Sequence, residues 1–211
     1  AGVERALGQY KAELQRNIMR YNSKVAQSRK IESANFARIQ GNISRQQAKL
    51  AQVEWVNVSA SGTVEDEINA LEFALSNLEI DAIVSGALRS DFQKQRLECM
   101  CQRLNIHSFT PLWHQTPIEH LRGMINAGFE IMLTSVSCEG LNHDWLGHVL
   151  TSSSLENLHA LSVQHRFNVD GEGGEYETFV LGGPIWSRSL TVKGEKHHTA
   201  SRGVFEIHSV V

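Results

Sequence analysis

The eight residues Gly171-Glu172-Gly173-Gly174-Glu175-Tyr176-Glu177-Thr178 set three carboxylates among three glycines, immediately ahead of the apolar run Phe179-Val180-Leu181. Glycine lets the backbone take positive φ and lets another molecule come close to the main chain. Carboxylates massed on a tight turn repel one another and need a cation, hydrogen-bond donors or water. Glu172, Glu175 and Glu177 could position Mg2+ carried on a nucleotide, accept hydrogen bonds from an amine, or act as a base. The plainer reading is an acidic surface turn before a strand, its carboxylates facing solvent beside Arg or Lys partners. If the chain is extended here, alternation puts Glu175 and Glu177 on one face and Tyr176 and Thr178 on the other, which favours two cooperating carboxylates.

Other chemistry is thinner. Cys99 and Cys101, with His107 beyond them, suggest a metal, but residues two apart on a helix point to nearly opposite sides. They read as buried or spare thiols, and no metal site is expected. The histidines are scattered and read as surface residues, His197-His198 lying in a turn. Neither a Gly-x-Ser-x-Gly elbow nor a His-Glu-x-x-His motif occurs, which leaves hydrolase assignments weak.

The elements that must carry the acidic loop follow from periodicity. Residues 3 to 34 lack proline and repeat Leu7, Tyr10, Leu14, Ile18, Tyr21 and Val25 at helical steps, an amphipathic helix with a basic polar face. Ile43 to Ala51 again reads as helical, and Val53 to Val58 as a strand. Thr63 with Asp66 opens a helix marked by Ile68, Leu71, Leu75 and Leu78 that ends near Asn77. Ile80 to Ser85 is a short strand, Ser90 or Asp91 caps the next helix, and Leu97, Cys101 and Leu104 give that helix its buried face. Ile106 to Phe109 is another strand. Thr116-Pro117 opens a helix that Gly128 closes, and Phe129 to Val136 is a further strand. Such alternation predicts an α/β fold, a parallel sheet with helices on both faces and ligands at the strands' carboxyl ends. Leu155, Leu158 and Leu161 mark one more helix, and Tyr176 to Leu181 follows as a strand. Ser189 to Val192 and Val204 to Ser209, joined by a turn-rich Gly194 to Gly203, then predict a mainly antiparallel end. The expected division is a basic arm over 1–41, a nucleotide-binding part over 42–140 and a substrate-binding part over 141–211.

The chain of 211 residues has ample apolar content for a core, and its three cysteines, without a Cys-x-x-Cys, favour a reducing intracellular setting. No apolar run reaches the length of a membrane span, and the N-terminus lacks a signal-peptide core, so a soluble cytoplasmic protein with no membrane partner is expected. The net charge of -3 divides into +7 over residues 1–50 and -10 over the rest. A basic arm on an acidic body could dock on that body or on a second copy in a homodimer, or contact nucleic acid or a ribosomal partner. No aromatic interleaving or nucleic-acid motif accompanies the charge, and DNA binding is not expected.

Taken in order, Gly86-Ala87 with Ser90, Phe92, Gln93 and Arg96, then Pro111-Leu112-Trp113, Gly128-Phe129-Glu130, Glu139-Gly140-Leu141, Trp145-Leu146-Gly147 and the Gly171 to Val180 run resemble the diphthine-ammonia ligase family of ATP pyrophosphatases. The resemblance covers about residues 42 to 190, including Gln47-Ala48-Lys49-Leu50. It implies a Rossmann-like sheet of the adenine-nucleotide α-hydrolase type with a second, small substrate-binding part. It also implies ATP-dependent, AMP-forming amidation of diphthine, a modified histidine of elongation factor 2, with ammonia. ATP and Mg2+ would be required. On this resemblance Gly86, Ala87, Ser90, Gln93 and Arg96 line the nucleotide side. Trp113, Gly140, Trp145, Gly147, Gly171, Gly173, Gly174, Tyr176 and Thr178 shape the substrate side, and Glu172, Glu175 and Glu177 carry the catalysis.

Two departures stand against the family pattern. The family's first strand and its Ser-Gly-Gly-Lys-Asp-Ser loop, whose amides would cradle phosphates, have no counterpart in residues 1–40, and His148 stands where arginine is expected. The alternatives are an inactive relative that binds a nucleotide or a protein in a translation-related complex, an enzyme whose phosphate site comes from another chain or segment, and a replaced N-terminus.

Overall fold

The computed structural model describes residues 41, 43–60, 63–199 and 202–211. The helix expected over residues 3 to 34 lies outside them. The chain divides into two compact units, Ala1–Lys49 with Val53–Trp55 and Leu50–Gln52 with Val56–Val211. Residues 43–50 are helical (α1).

In the larger unit, α2 (Val64–Leu75) begins where Thr63 Oγ1 accepts from the Asp66 N–H at 3.3 Å. Strand β1 (Ala82–Val84) and strand β2 (His107–Phe109) flank α3 (Asp91–Leu104) and pair in parallel, with Val84 opposite Phe109. Ser90 supplies the cap of α3, accepting from the Gln93 N–H at 3.3 Å. The buried face of α3 is Met100 and Cys101, and Asn105 turns the chain out of it in the left-handed conformation that asparagine tolerates. Pro117 occupies the first turn of α4 (Pro117–Asn126), and β3 (Glu130–Val136) follows. Beyond a single 3-10 turn at His143–Trp145 come α5 (Ser152–His165), β4 (Tyr176–Gly182), β5 (Val192–Thr199) and β6 (Arg202–Val210). The architecture is mixed α/β, with one two-stranded parallel sheet and one antiparallel sheet in the order β4-β3-β6-β5.

Strand β3 departs from expectation: it leaves the parallel sheet and pairs antiparallel with β4 and β6. An apolar run such as Ile131-Met132-Leu133 signals burial on both faces but carries no information about strand direction. One edge of β3 is filled by β4. The other is shared by β6, at Ser135 and Val136, and by residues 147–150, through Leu133 N–H to His148 C=O at 3.0 Å and Leu150 N–H to Ile131 C=O at 2.8 Å. The core lies around this strand, where Leu133, Leu146, Leu155 and Leu158 are essentially inaccessible.

Three further expectations give way. Val53 to Val58 is not a strand, and Val53 and Val56 are about half exposed; β-branched and aromatic composition alone does not make one. Helix α2 stops at Leu75, short of Leu78, which is exposed. The segment read as a turn, Gly194 to Gly203, is largely β5 and the start of β6, and it takes His197 and His198 into a strand. Gly194 is there for close approach: a Cβ would stand 2.2 Å from the Glu206 carbonyl oxygen.

The packing gives a direct contrast. Leu158→Ala should lower unfolding free energy by about 2–5 kcal/mol, whereas Phe73→Ala, at a side chain 75% exposed, should change it by no more than about 0.5 kcal/mol. Denaturant midpoints of the two variants measure both.

Candidate functional site

Three loops meet at the carboxyl ends of β1, β2 and β3. The first, residues 85–90, leads into α3. Its Leu88 carbonyl accepts from the His114 N–H at 2.9 Å, which draws in the second loop, residues 110–116. Trp113 stacks on His114 with ring centres 4.8 Å apart, and the Lys94 ammonium lies 5.4 Å from the Trp113 ring. Gly86, Ala87, Ser90, Gln93 and Arg96 therefore share one loop and the first turns of one helix, with the Arg96 guanidinium over the Phe92 ring at 5.0 Å. Trp113, expected on the substrate side, sits instead by Lys94, among the residues expected on the nucleotide side.

The third loop is the Gly/Glu run. It is fastened to the end of β3 by Ser137, whose N–H donates to the Glu175 carbonyl at 2.8 Å and whose hydroxyl donates to the Gly174 carbonyl at 2.5 Å. Its internal support is Glu175. Oε1 accepts from the Asn168 N–H at 2.9 Å and the Asn168 side-chain amide at 3.0 Å, and Oε2 accepts from the Gly173 N–H at 2.8 Å. A Cβ at Gly173 would stand 2.5 Å from that carboxylate and force it to shift, and Gly174 turns the chain with φ +81°. Burial pushes the Glu175 carboxyl up, but the donors at Asn168, Glu175 itself and Gly173 outweigh it and hold it below its ordinary value.

The alternation expected here does not survive. Glu175 precedes β4 and turns inward to the loop amides. A bulge in β3 between Leu133 and Ser135 breaks the register, so Tyr176 is buried while Glu177 and Thr178 are both exposed. Tyr176 is a support: its hydroxyl donates to the Val169 carbonyl at 2.6 Å, and burial, with Asp170, Glu175 and Cys138 nearby, raises its pKa. Glu172 and Glu177 are exposed, and among the described residues their carboxylates have no partner. Cys138 lies beside this loop, but burial first and the Glu175 charge second push its thiol up to about 11, which removes it as a nucleophile at neutral pH.

The remaining residues expected on the substrate side have structural surroundings. Trp145 is in the core, edge-on to His148 with ring centres 5.6 Å apart, and cannot present its face to a ligand. Gly140 packs against the His165 ring and Gly147 against Phe205, while Gly171 abuts Tyr176. Among the described residues no group of three or more His, Cys, Asp or Glu is placed to hold a metal ion. The acidic loop thus forms no such cage for Mg2+. No helix of the described residues is long and apolar enough to cross a membrane.

The link that sequence reasoning missed is an ion pair. Arg89 Nη2 donates to Asp170 Oδ2, joining the loop before α3 to the residue before Gly171 across 81 positions. Both residues adjoin motifs that were read, but a partnership at that separation has no spacing signature. Asn168 was missed for the same reason.

Two family models match the chain: the diphthamide synthase N-terminal domain over residues 4–108 and the diphthamide synthase C-terminal domain over residues 116–211. The likeness is wider than residues 42 to 190. Among curated relatives, proteins named diphthine-ammonia ligase are similar to it. The one from Danio rerio is 35% identical over 130 residues, covering 61% of this chain and 51% of the relative. That of Homo sapiens is 36% identical over 130 residues, covering 61% and 48%, and that of Bos taurus 34% over 143 residues, covering 67% and 53%. The chain spans about half the length of these relatives.

The Glu175 clamp has a pH signature. Because its folded-state pKa is lowered, the stabilisation it gives is fully present above the ordinary carboxylate range and is lost as pH falls through the lowered value. Glu175→Gln must turn an NH2 toward an N–H donor. Amide exchange across residues 171–175 should therefore be faster in the variant at neutral pH, and the acid-side loosening of the wild-type loop should be absent from it.

Proposed function

We propose a function from one premise: this chain belongs to the diphthamide synthase family. The relatives' name joins diphthine to ammonia, and making an amide from a carboxylate needs activation. We infer that the chain serves an ATP-dependent, AMP-forming ligation on the diphthine side chain of elongation factor 2. The diphthine carboxylate attacks the α-phosphorus of ATP, the bond to pyrophosphate breaks, and an acyl-adenylate forms. Ammonia attacks the acyl carbon and gives up a proton, and AMP leaves with the electrons of the acyl C–O bond.

The observation that carries this reading is the meeting of the three loops. Gly86, Ala87 and Ser90 form a glycine-containing turn at the N-terminus of α3, whose first turns carry Gln93 and Arg96, and backbone donors and the helix dipole there favour an anion. The acidic loop carries two exposed carboxylates without partners among the described residues, Glu172 and Glu177. An exposed carboxylate can accept from ammonium or take the proton released when ammonia adds to the acyl carbon. Glu175 is kept from that task by its three loop donors and serves by holding the other two in place. Gly171, Gly173, Gly174 and Tyr176 contribute loop shape, and Thr178 lies beside Glu177 on the exposed stretch.

With diphthine-bearing elongation factor 2, ATP and ammonium, the full chain should release AMP and pyrophosphate in an ammonia-dependent manner. Glu177→Gln should lower kcat by about 10²–10⁴-fold with the KM for ATP nearly unchanged. Calorimetry should show uptake of ATP or AMP. A chain that takes up neither nucleotide at millimolar concentration is not a ligase of this type.

A further inference from the structure

Asp170 is the most deeply buried charge near the site: its side chain is 1% exposed, against 31% for Arg89. Oδ2 receives the guanidinium, while Oδ1 is buried without a partner among the described residues. Taking one member from a buried ion pair leaves an uncompensated charge, which is why such pairs resist separation. Asp170 immediately precedes Gly171, and Arg89 immediately precedes Ser90, the cap of α3. The pair therefore ties the entry of the Gly/Glu loop to the N-terminus of the helix that carries Gln93 and Arg96. The other fastenings of the loop, Ser137 and Glu175, hold it to β3 and to itself, and neither reaches the nucleotide side.

We propose that Arg89 and Asp170 are positioning residues for the ligation: through one buried ion pair they set the distance between the nucleotide-side turn and the loop bearing Glu172 and Glu177. Neither touches the reacting atoms. The kinetic part of this proposal rests on the ligase reading. Misplacement of an acceptor by about 1 Å costs on the order of 10²-fold in rate while leaving each partner's own binding intact.

The test uses the full chain with Arg89→Gln, Asp170→Asn, and the two combined. Removing both charges together relieves the buried orphan, so thermal stability should recover in the double variant. If the pair sets geometry, kcat stays about 10²-fold down in all three variants, the KM for ATP moves by no more than about twofold, and amides of residues 171–175 exchange faster than in the wild type. A double variant that regains both stability and kcat overturns the proposal, since the pair is then structural only. Should the wild type show no ligation at all, the ligase reading fails by itself. Amide exchange then decides the positioning claim, which falls if residues 171–175 exchange at the wild-type rate in Arg89→Gln.

Discussion

Strand β3 imposes the constraint from which the rest of the larger unit follows. Ile131, Met132, Leu133 and Val136 are each no more than 4% exposed, so its main chain is shut off from water on both faces. Buried backbone donors and acceptors must find partners along both edges. Supplying them requires β4 on one side, and residues 147–150 followed by β6 on the other. Three later stretches of chain are thus gathered onto one strand. The end of that strand, Ser137, becomes a fixed post to which the Gly/Glu loop is bound.

The loop is built as a self-bonded unit. Three acidic residues in so short a turn would repel one another if all faced the same way. The fold turns Glu175 inward, where the Asn168 and Gly173 donors take up both of its oxygens. What remains outside is a pair, Glu172 and Glu177, carried on a backbone that does not have to rearrange. Such preorganisation matters where charge develops, because fixed groups need no reorganisation during the reaction. Burial, with the Glu175 charge second, pushes the Cys138 thiol well above its ordinary value.

Much of this was legible in local patterns. The Thr63 and Ser90 caps, Pro117 at the start of α4, and the buried Leu155 and Leu158 all stand where capping chemistry and helical spacing placed them. The family was legible because its motifs are short, ordered and local. Direction was not: the residues of β3 specify a doubly buried strand equally well in either sheet, and only β4 and β6 decide it. Nor was the polar strand β5 legible, since Lys193 to His198 has the composition of a turn and becomes a strand by pairing with β6. The bulge at Thr134 defeated the simple alternation at Glu177 and Thr178, because period-two reasoning assumes an unbroken ladder. The Arg89–Asp170 pair lies beyond any local pattern, its two halves being brought together by the fold alone.

The two fastenings of the Gly/Glu loop differ in kind, and that difference orders the site. On the β3 side the bonds are neutral and numerous, each worth on the order of 1 kcal/mol, so losing one leaves the others in register. On the α3 side a single ion pair makes the connection, and its carboxylate is buried with one oxygen unmet. A buried charge tolerates no intermediate distance: it is either paired or exposed to the full cost of desolvation. The β3 side therefore gives the loop its shape, and the α3 side gives it its place. The parallel strands and the antiparallel sheet have no strand in common, so contacts between their loops help to set the site. One such contact is the pair of opposite charges where the turn before α3 and the acidic loop approach each other.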